Sequence, residues 1–298
     1  ELKGIYLEDR QQDTLAYIGR LAVRIHPMDL LRNKVTVEKV SLENFTASVH
    51  RTSPGEPFNF QFVIDAFARE KDTTVVKKEK ATWRITANRV MLMNGRLQYN
   101  IDSAPSTPGQ FNVSHLDVHN LNFDGKLDFL SLEDMKAEIG LLSFREQNAG
   151  LTLHELKVVA EASGTQINSN KMTASLNRSE IRVSNARYDR ETKKFFLKAD
   201  SEVIDPNDIS IFSSRFAHLN KPFSFETEAE GKLPQATLRN LVLQYGSDTR
   251  IHISGKIADY SDFNNSDLEA TIRQLSVSQQ DLQDFIRVGA IQYESPVQ

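Results

Sequence analysis

The chain contains no cysteine. That absence excludes disulfides, thiolate metal sites and cysteine nucleophiles. Charge of one sign is missing too, since 36 basic residues stand against 40 acidic ones and leave a net charge of −4. Without a sequence-wide basic field, nucleic acid is not expected as a partner. Long hydrophobic runs are also lacking. No window approaches the ~18–20 consecutive apolar residues of a membrane span, and short stretches such as Phe62-Val63-Ile64 are soon broken by charge. The first residue is Glu1 and not methionine, as expected of a processed or excised piece whose leader or anchor has been removed. The 298 residues suffice for one large domain or two ordinary ones.

What the chain does have is short apolar alternation, the period of a strand with one buried face. One variant recurs, in which two apolar positions, a polar pair and two further apolar positions follow one another. It occurs at Ala16/Ile18/Leu21/Val23, Val35/Val37/Val40/Leu42, Ile85/Ala87/Val90/Leu92 and Phe111/Val113/Leu116/Val118. Further copies are Leu151/Leu153/Leu156/Val158, Ala236/Leu238/Leu241/Leu243 and Ala270/Ile272/Leu275/Val277. Chance would supply roughly two or three such windows. The step of three in each copy would turn a regular strand's second half to the wrong face. An extra residue, accommodated as a bulge or bend, restores the phase and increases the twist. The alternative is two short strands joined by a tight turn. Repeated bends predict a mainly β fold: an elongated, strongly curved antiparallel sheet with a few short helices.

Helical spacing is confined to a few places. Phe60, Val63, Ile64 and Phe67 follow Pro57 in a segment reaching about Arg69. Asp205-Pro206 is a start signal, with Ile209, Phe212 and Phe216 expected on one face. Ser278 can cap a last helix that buries Leu282, Phe285 and Ile286, with Asp281 at its positive end. Met28-Asp29-Leu30-Leu31 reads as one further turn. The polar run 69–80 and the stretch 103–109 read as loops. The chain is expected to be one elongated β-rich segment of a larger protein, with possible subdivisions at 69–80 and 205–222.

Catalytic motifs do not emerge. There is no phosphate-binding glycine loop, nucleophile elbow or His-Glu-x-x-His. His115, Asp117 and His119 alternate with Leu116 and Val118, so they belong to one polar strand face. The two histidines are then separated by roughly 13 Å, too far to share a metal ion. Glu226, Glu228 and Glu230 likewise share one face of a strand, where like charges call for solvent. Trp83, Tyr99, Phe111 and Phe123 could form a sugar platform, although aromatics in strands are more often core. Neither enzymatic activity nor a cofactor or metal is expected.

The opening Gly4-Ile5-Tyr6-Leu7-Glu8-Asp9, followed by Asp13-Thr14-Leu15, resembles the early region of TamB-like proteins of Bacteroidetes type. Asp29-Leu30-Leu31 leading into Val35 to Leu42, with Asn44 just after, looks like the AsmA/TamB signature. Phe60 to Phe67 fits the family's next short helix, and Ser278-Gln279-Gln280-Asp281-Leu282 resembles its recurrent S-x-x-D-L helix start. The resemblance is clearest over the first ~70 residues. It implies a curved sheet forming a trough with an apolar concave face, in a periplasmic protein tied to the inner membrane by an upstream anchor. The implied roles are outer-membrane protein assembly with an Omp85-type barrel partner and phospholipid transport between the two membranes. On that reading acyl chains would contact Val37, Leu42, Leu92, Val113, Leu153 and Leu243, one or two from each of five copies of the apolar pattern. The competing expectation is a closed β-sandwich acting as a secreted adhesin or carbohydrate-binding module, its inner faces packed on each other.

Overall fold

Alternating apolar residues build most of the described chain as strands. The computed structural model describes residues 1–25, 36–67, 86–129, 134–259 and 267–288. In chain order the first elements are β1 (Leu2–Glu8), β2 (Thr14–Ile25), β3 (Thr36–Arg51), α1 (Gln61–Phe67), β4 (Thr86–Ile101) and β5 (His115–Phe129). Then come β6 (Asp134–Glu146), β7 (Leu151–Ser163), β8 (Gln166–Ser175), β9 (Glu180–Asp189) and β10 (Lys194–Ile204). The last are α2 (Pro206–Ser210), a 3-10 turn (Ser214–His218), β11 (Phe223–Lys232), β12 (Gln235–Tyr245), β13 (Thr249–Ile257), β14 (Leu268–Ser276) and α3 (Gln279–Val288). The strands form one open sheet in sequential order, from β1 to β14, which does not close into a barrel. The fold is mainly β, as expected.

The chain divides into two compact units. The first comprises Glu1–Phe129 with Ile139–Thr152, and the second Leu130–Glu138 with Leu153–Gln298. The division therefore falls around β6, and 205–222 lies inside the second unit. The run 69–80 and the turn expected at Met28 to Leu31 lie outside the described residues.

The pairing of β3 with β4 departs from the antiparallel expectation. β3 and β4 run parallel, with Val37 opposite Ala87 and Leu42 opposite Leu92. A parallel pair needs a long crossover, and here the connection carries α1. The register lays two copies of the apolar pattern side by side, like against like.

The expected phase shifts are real, and most of the strands run straight through them. In β12 Arg239 is looped out, with Glu228 paired to Asn240 and Ala229 to Leu238. In β14 Arg273 is skipped between Ile272 and Gln274, and in β3 Glu38 is skipped between Val37 and Lys39. The first unit adds a second device. Asn44, Asn94 and Asn120 each have positive φ, 52°, 52° and 51°, a conformation Asn tolerates and most residues avoid. Asn94 Nδ2 donates to Asn44 Oδ1 at 2.7 Å and its backbone N–H to Asn122 Oδ1 at 3.0 Å, linking the bends of β3, β4 and β5. Beside them Gly19 sits so close to β3 that a Cβ would stand 3.1 Å from Asn44 Cβ and its carbonyl. A Cβ on Gly95 would collide with the outer end of the Phe45 ring.

The helices are short, as expected, with one correction. α2 ends at Ser210, and Phe216 belongs to the separate 3-10 turn, so Ile209, Phe212 and Phe216 do not form one buried helical face. Phe212 is 52% exposed, and Ile211 is the buried residue instead.

Candidate functional site

Register assigns each apolar residue to a row that crosses the sheet. In the first unit Leu2 faces Leu21, Leu21 faces Leu42, Leu42 faces Leu92 and Leu92 faces Phe123. Val23, Val40 and Val90 make the adjacent row on the same face. In the second unit Phe225, Leu243, Ile251 and Leu275 form one row, and Leu241, Ile253 and Ile272 form another. These rows are half-buried along most of their length and each opens at one end. Leu2 and Ile272 are each 59% exposed and Val23 43%.

The six sequence candidates divide into three groups. Leu42, Leu92 and Leu243 lie half-buried in the rows just described. Val37 and Leu153 are buried, so their side chains belong to the packed interior. Val113 is a correction. It is 67% exposed in the turn before β5, where the Asn112 side chain accepts from Ser114 N–H at 2.9 Å and holds the backbone out of the strand. Phe111 also stands outside β5.

The polar face carries the residues that looked chemical. His115, Asp117 and His119 are on β5 as expected. Asp117 pairs with Arg96 at 3.2 Å and with His119 at 3.0 Å, while His115 bonds Asn100 and the Ala104 carbonyl. Burial pushes the Asp117 carboxyl up, but hydrogen bonds from Arg96 and His119 outweigh it and hold it below its usual range. Of the three glutamates on β11, Glu228 and Glu230 share Arg239, at 3.7 and 2.6 Å. That residue is the bulged one, so the phase shift also delivers a counter-ion.

Sequence reasoning missed a pair of matching helix latches in the second unit. At α2 the Ser179 hydroxyl donates to Asp208 at 2.6 Å and accepts from the Asp205 backbone N–H at 2.9 Å. At α3 the Thr249 hydroxyl donates to Asp281 at 2.7 Å and accepts from the Ser278 N–H at 3.2 Å. In each case one hydroxyl, just after a hairpin turn, ties together a helix cap and the acid three residues later. The shared signal is visible in Asp205-Pro206-Asn207-Asp208-Ile209 and Ser278-Gln279-Gln280-Asp281-Leu282, but the hydroxyl partners are remote in sequence. Asp281 also holds Lys221 at 2.5 Å, and Tyr245 donates to Asp284 at 2.9 Å while packing on Phe285. Burial pushes the Asp281 carboxyl up, yet Lys221, Thr249 and Ser278 together keep it below the usual range. These buried acids bond to neighbouring groups of the protein and anchor helices.

Comparison with protein-family models, curated proteins and solved structures finds no match.

Proposed function

We propose that this chain is a non-enzymatic envelope-biogenesis protein of TamB/AsmA type whose apolar face carries phospholipid acyl chains between inner and outer membranes or supports outer-membrane protein assembly. It would work in the periplasm, tied to the inner membrane by an upstream anchor, with an Omp85-type barrel as partner. The observation that supports this reading most is the apolar row Leu2–Leu21–Leu42–Leu92–Phe123, which crosses five strands and opens to solvent at Leu2. Contiguous apolar surface of this kind serves a partner or a ligand.

The physics is that of a lowered barrier. Moving a chain of ~15 methylenes through water costs roughly 12 kcal/mol at ~0.8 kcal/mol each. A surface that replaces water along the route lowers that cost without tight binding and without a catalytic residue. Half-buried Leu42, Leu92 and Leu243 suit this role because they reach a ligand while keeping their strand neighbours.

A fluorescent fatty acid titrated into the purified protein tests the proposal. Saturable binding is expected, and Leu42→Asp with Leu92→Asp should weaken it about tenfold, the equivalent of losing ~1.5 kcal/mol of apolar contact, with the strand circular dichroism retained. Absence of acyl-chain binding, with binding to a panel of oligosaccharides instead, would favour the carbohydrate-module alternative.

A further inference from the structure

The polar face of the first unit contains an arrangement that protein contacts alone leave unbalanced. Arg24 of β2 stands directly opposite Lys39 of β3, and Lys39 directly opposite Arg89 of β4. Like charges facing each other across strands are destabilising. The acids nearby are already engaged. Glu1 and Glu43 both bind Arg20, at 3.1 and 2.9 Å, and Asp124 makes a two-pronged pair with Arg89. Arg24 forms no ion pair among the described residues, and Lys39 feels Asp124 only at longer range.

Between them lies Ser41, two residues along β3 from Lys39 and on the same face. It is 4% exposed, and its hydroxyl has no hydrogen-bond partner. Burying a hydroxyl unpaired is costly, and such groups are rare. Ser41 lines a cleft of 350 Å³ together with Arg20, Arg24, Lys39 and two carboxylates, Glu1 and Glu43, both of which are held by Arg20. A guanidinium fork and an ammonium without an ion pair among the described residues, and a hydroxyl without a hydrogen-bond partner there, thus line one cleft, all of them able to donate.

We propose that this cleft binds a phosphate group, with Arg24, Lys39 and the Ser41 hydroxyl each donating to a different oxygen. A carboxylate could accept from all three only by sharing an oxygen between donors, whereas a phosphate monoester offers each donor a terminal oxygen of its own and up to twice the charge. The ligand is a phosphate carried either on a lipid headgroup or on a soluble molecule. Strand alternation places Ser41 on the face opposite Leu42 and Leu92, so this site stands apart from the acyl-chain proposal, and either can fail alone.

Isotope-labelled protein titrated with inorganic phosphate should show saturable shifts in the side-chain signals of Arg24 and Lys39 and in the Ser41 amide. Arg24→Gln with Lys39→Gln should abolish the shift that remains observable there, that of the Ser41 amide, and folding is not at risk because that change relieves a like-charge pair. Ser41→Ala should weaken binding roughly tenfold while raising the melting temperature of the phosphate-free protein, a combination that a merely structural serine does not produce. Lys171→Gln, in the second unit, serves as the control. Vesicles of phosphatidylcholine with and without phosphatidic acid identify the source. Selective sedimentation with phosphatidic acid indicates a headgroup, and phosphate binding without sedimentation indicates a soluble ligand. No response to either probe, or a response that survives the Arg24/Lys39 double variant or is undiminished in Ser41→Ala, overturns the proposal.

Discussion

The two units meet the same geometric problem differently. In each, apolar residues step by three in mid-strand and the strand must regain its phase. In the second unit one strand of a pair absorbs the extra residue alone, as at Arg239 in β12 and Arg273 in β14, and the register shifts by one. In the first unit the defects at the bends of β2, β3 and β4 face each other. Ile18 pairs with Phe45 and Arg20 with Glu43, so Gly19 and Asn44 are passed over together and the register is kept. Asn44 and Asn94 stand at equivalent places across the parallel pair, and the pairing resumes unchanged at Thr46 and Arg96. A single bulge is a local event. A row of opposed left-handed residues is cooperative, since each depends on the close approach of its neighbour.

That difference can be broken most forcefully at Gly95. Gly95→Ala drives a Cβ into the Phe45 ring and is expected to cost about 3 kcal/mol, read by chemical denaturation. Loss of less than about 1 kcal/mol would show that the first unit's bend is not tightly packed. In the second unit the largest effect is expected at the latch. Asp281→Ala removes the partner of Lys221 and Thr249 and should cost about 2 kcal/mol, with α3 losing amide-exchange protection before the strands do. Because the folded-state Asp281 carboxyl lies below its unfolded value, its stabilisation is present above about pH 4 and fades as the pH falls through the lower folded value. Asp281→Asn should remove this part of the acid sensitivity, seen in unfolding curves between neutral and acid pH.

Two smaller effects sharpen the comparison. Asn94→Ala must hold a positive φ without the bond to Asn44 and should cost about 1.5 kcal/mol, whereas Asn94→Gly recovers part of it through glycine's freedom. Arg239→Gln at the second unit's bulge removes two exposed ion pairs and should change stability by less than about 1 kcal/mol. If Arg239→Gln proved the costlier of the two, the distinction between cooperative and local bends would fail.

Much of this was legible from the residues. Alternation marks the strands, the step of three marks the bulges at Glu38, Arg239 and Arg273, and Ser278 marks the start of α3. What escaped depends on partners distant in the chain. Nothing near Val37 or Ala87 says that their strands run parallel, and nothing near Asp208 points to Ser179. Val113 misled because alternation ignores a side chain that captures its own backbone, as Asn112 does two residues on. Exposure was the least legible property. Val37 and Val113 each hold the second place in a copy of the pattern, yet the first is buried and the second exposed, because the pattern shows neither what lies over a strand nor where the strand begins.

The central claim is that the half-buried apolar rows contact acyl chains while the polar face does not. A photo-crosslinking amino acid placed in turn at Leu92, Leu243, Asp117 and Glu228, in protein incubated with phospholipid vesicles, tests it most directly. Lipid adducts are expected at Leu92 and Leu243 and none at Asp117 or Glu228. Equal labelling at all four positions, or no adduct at either leucine in a folded protein, would contradict it.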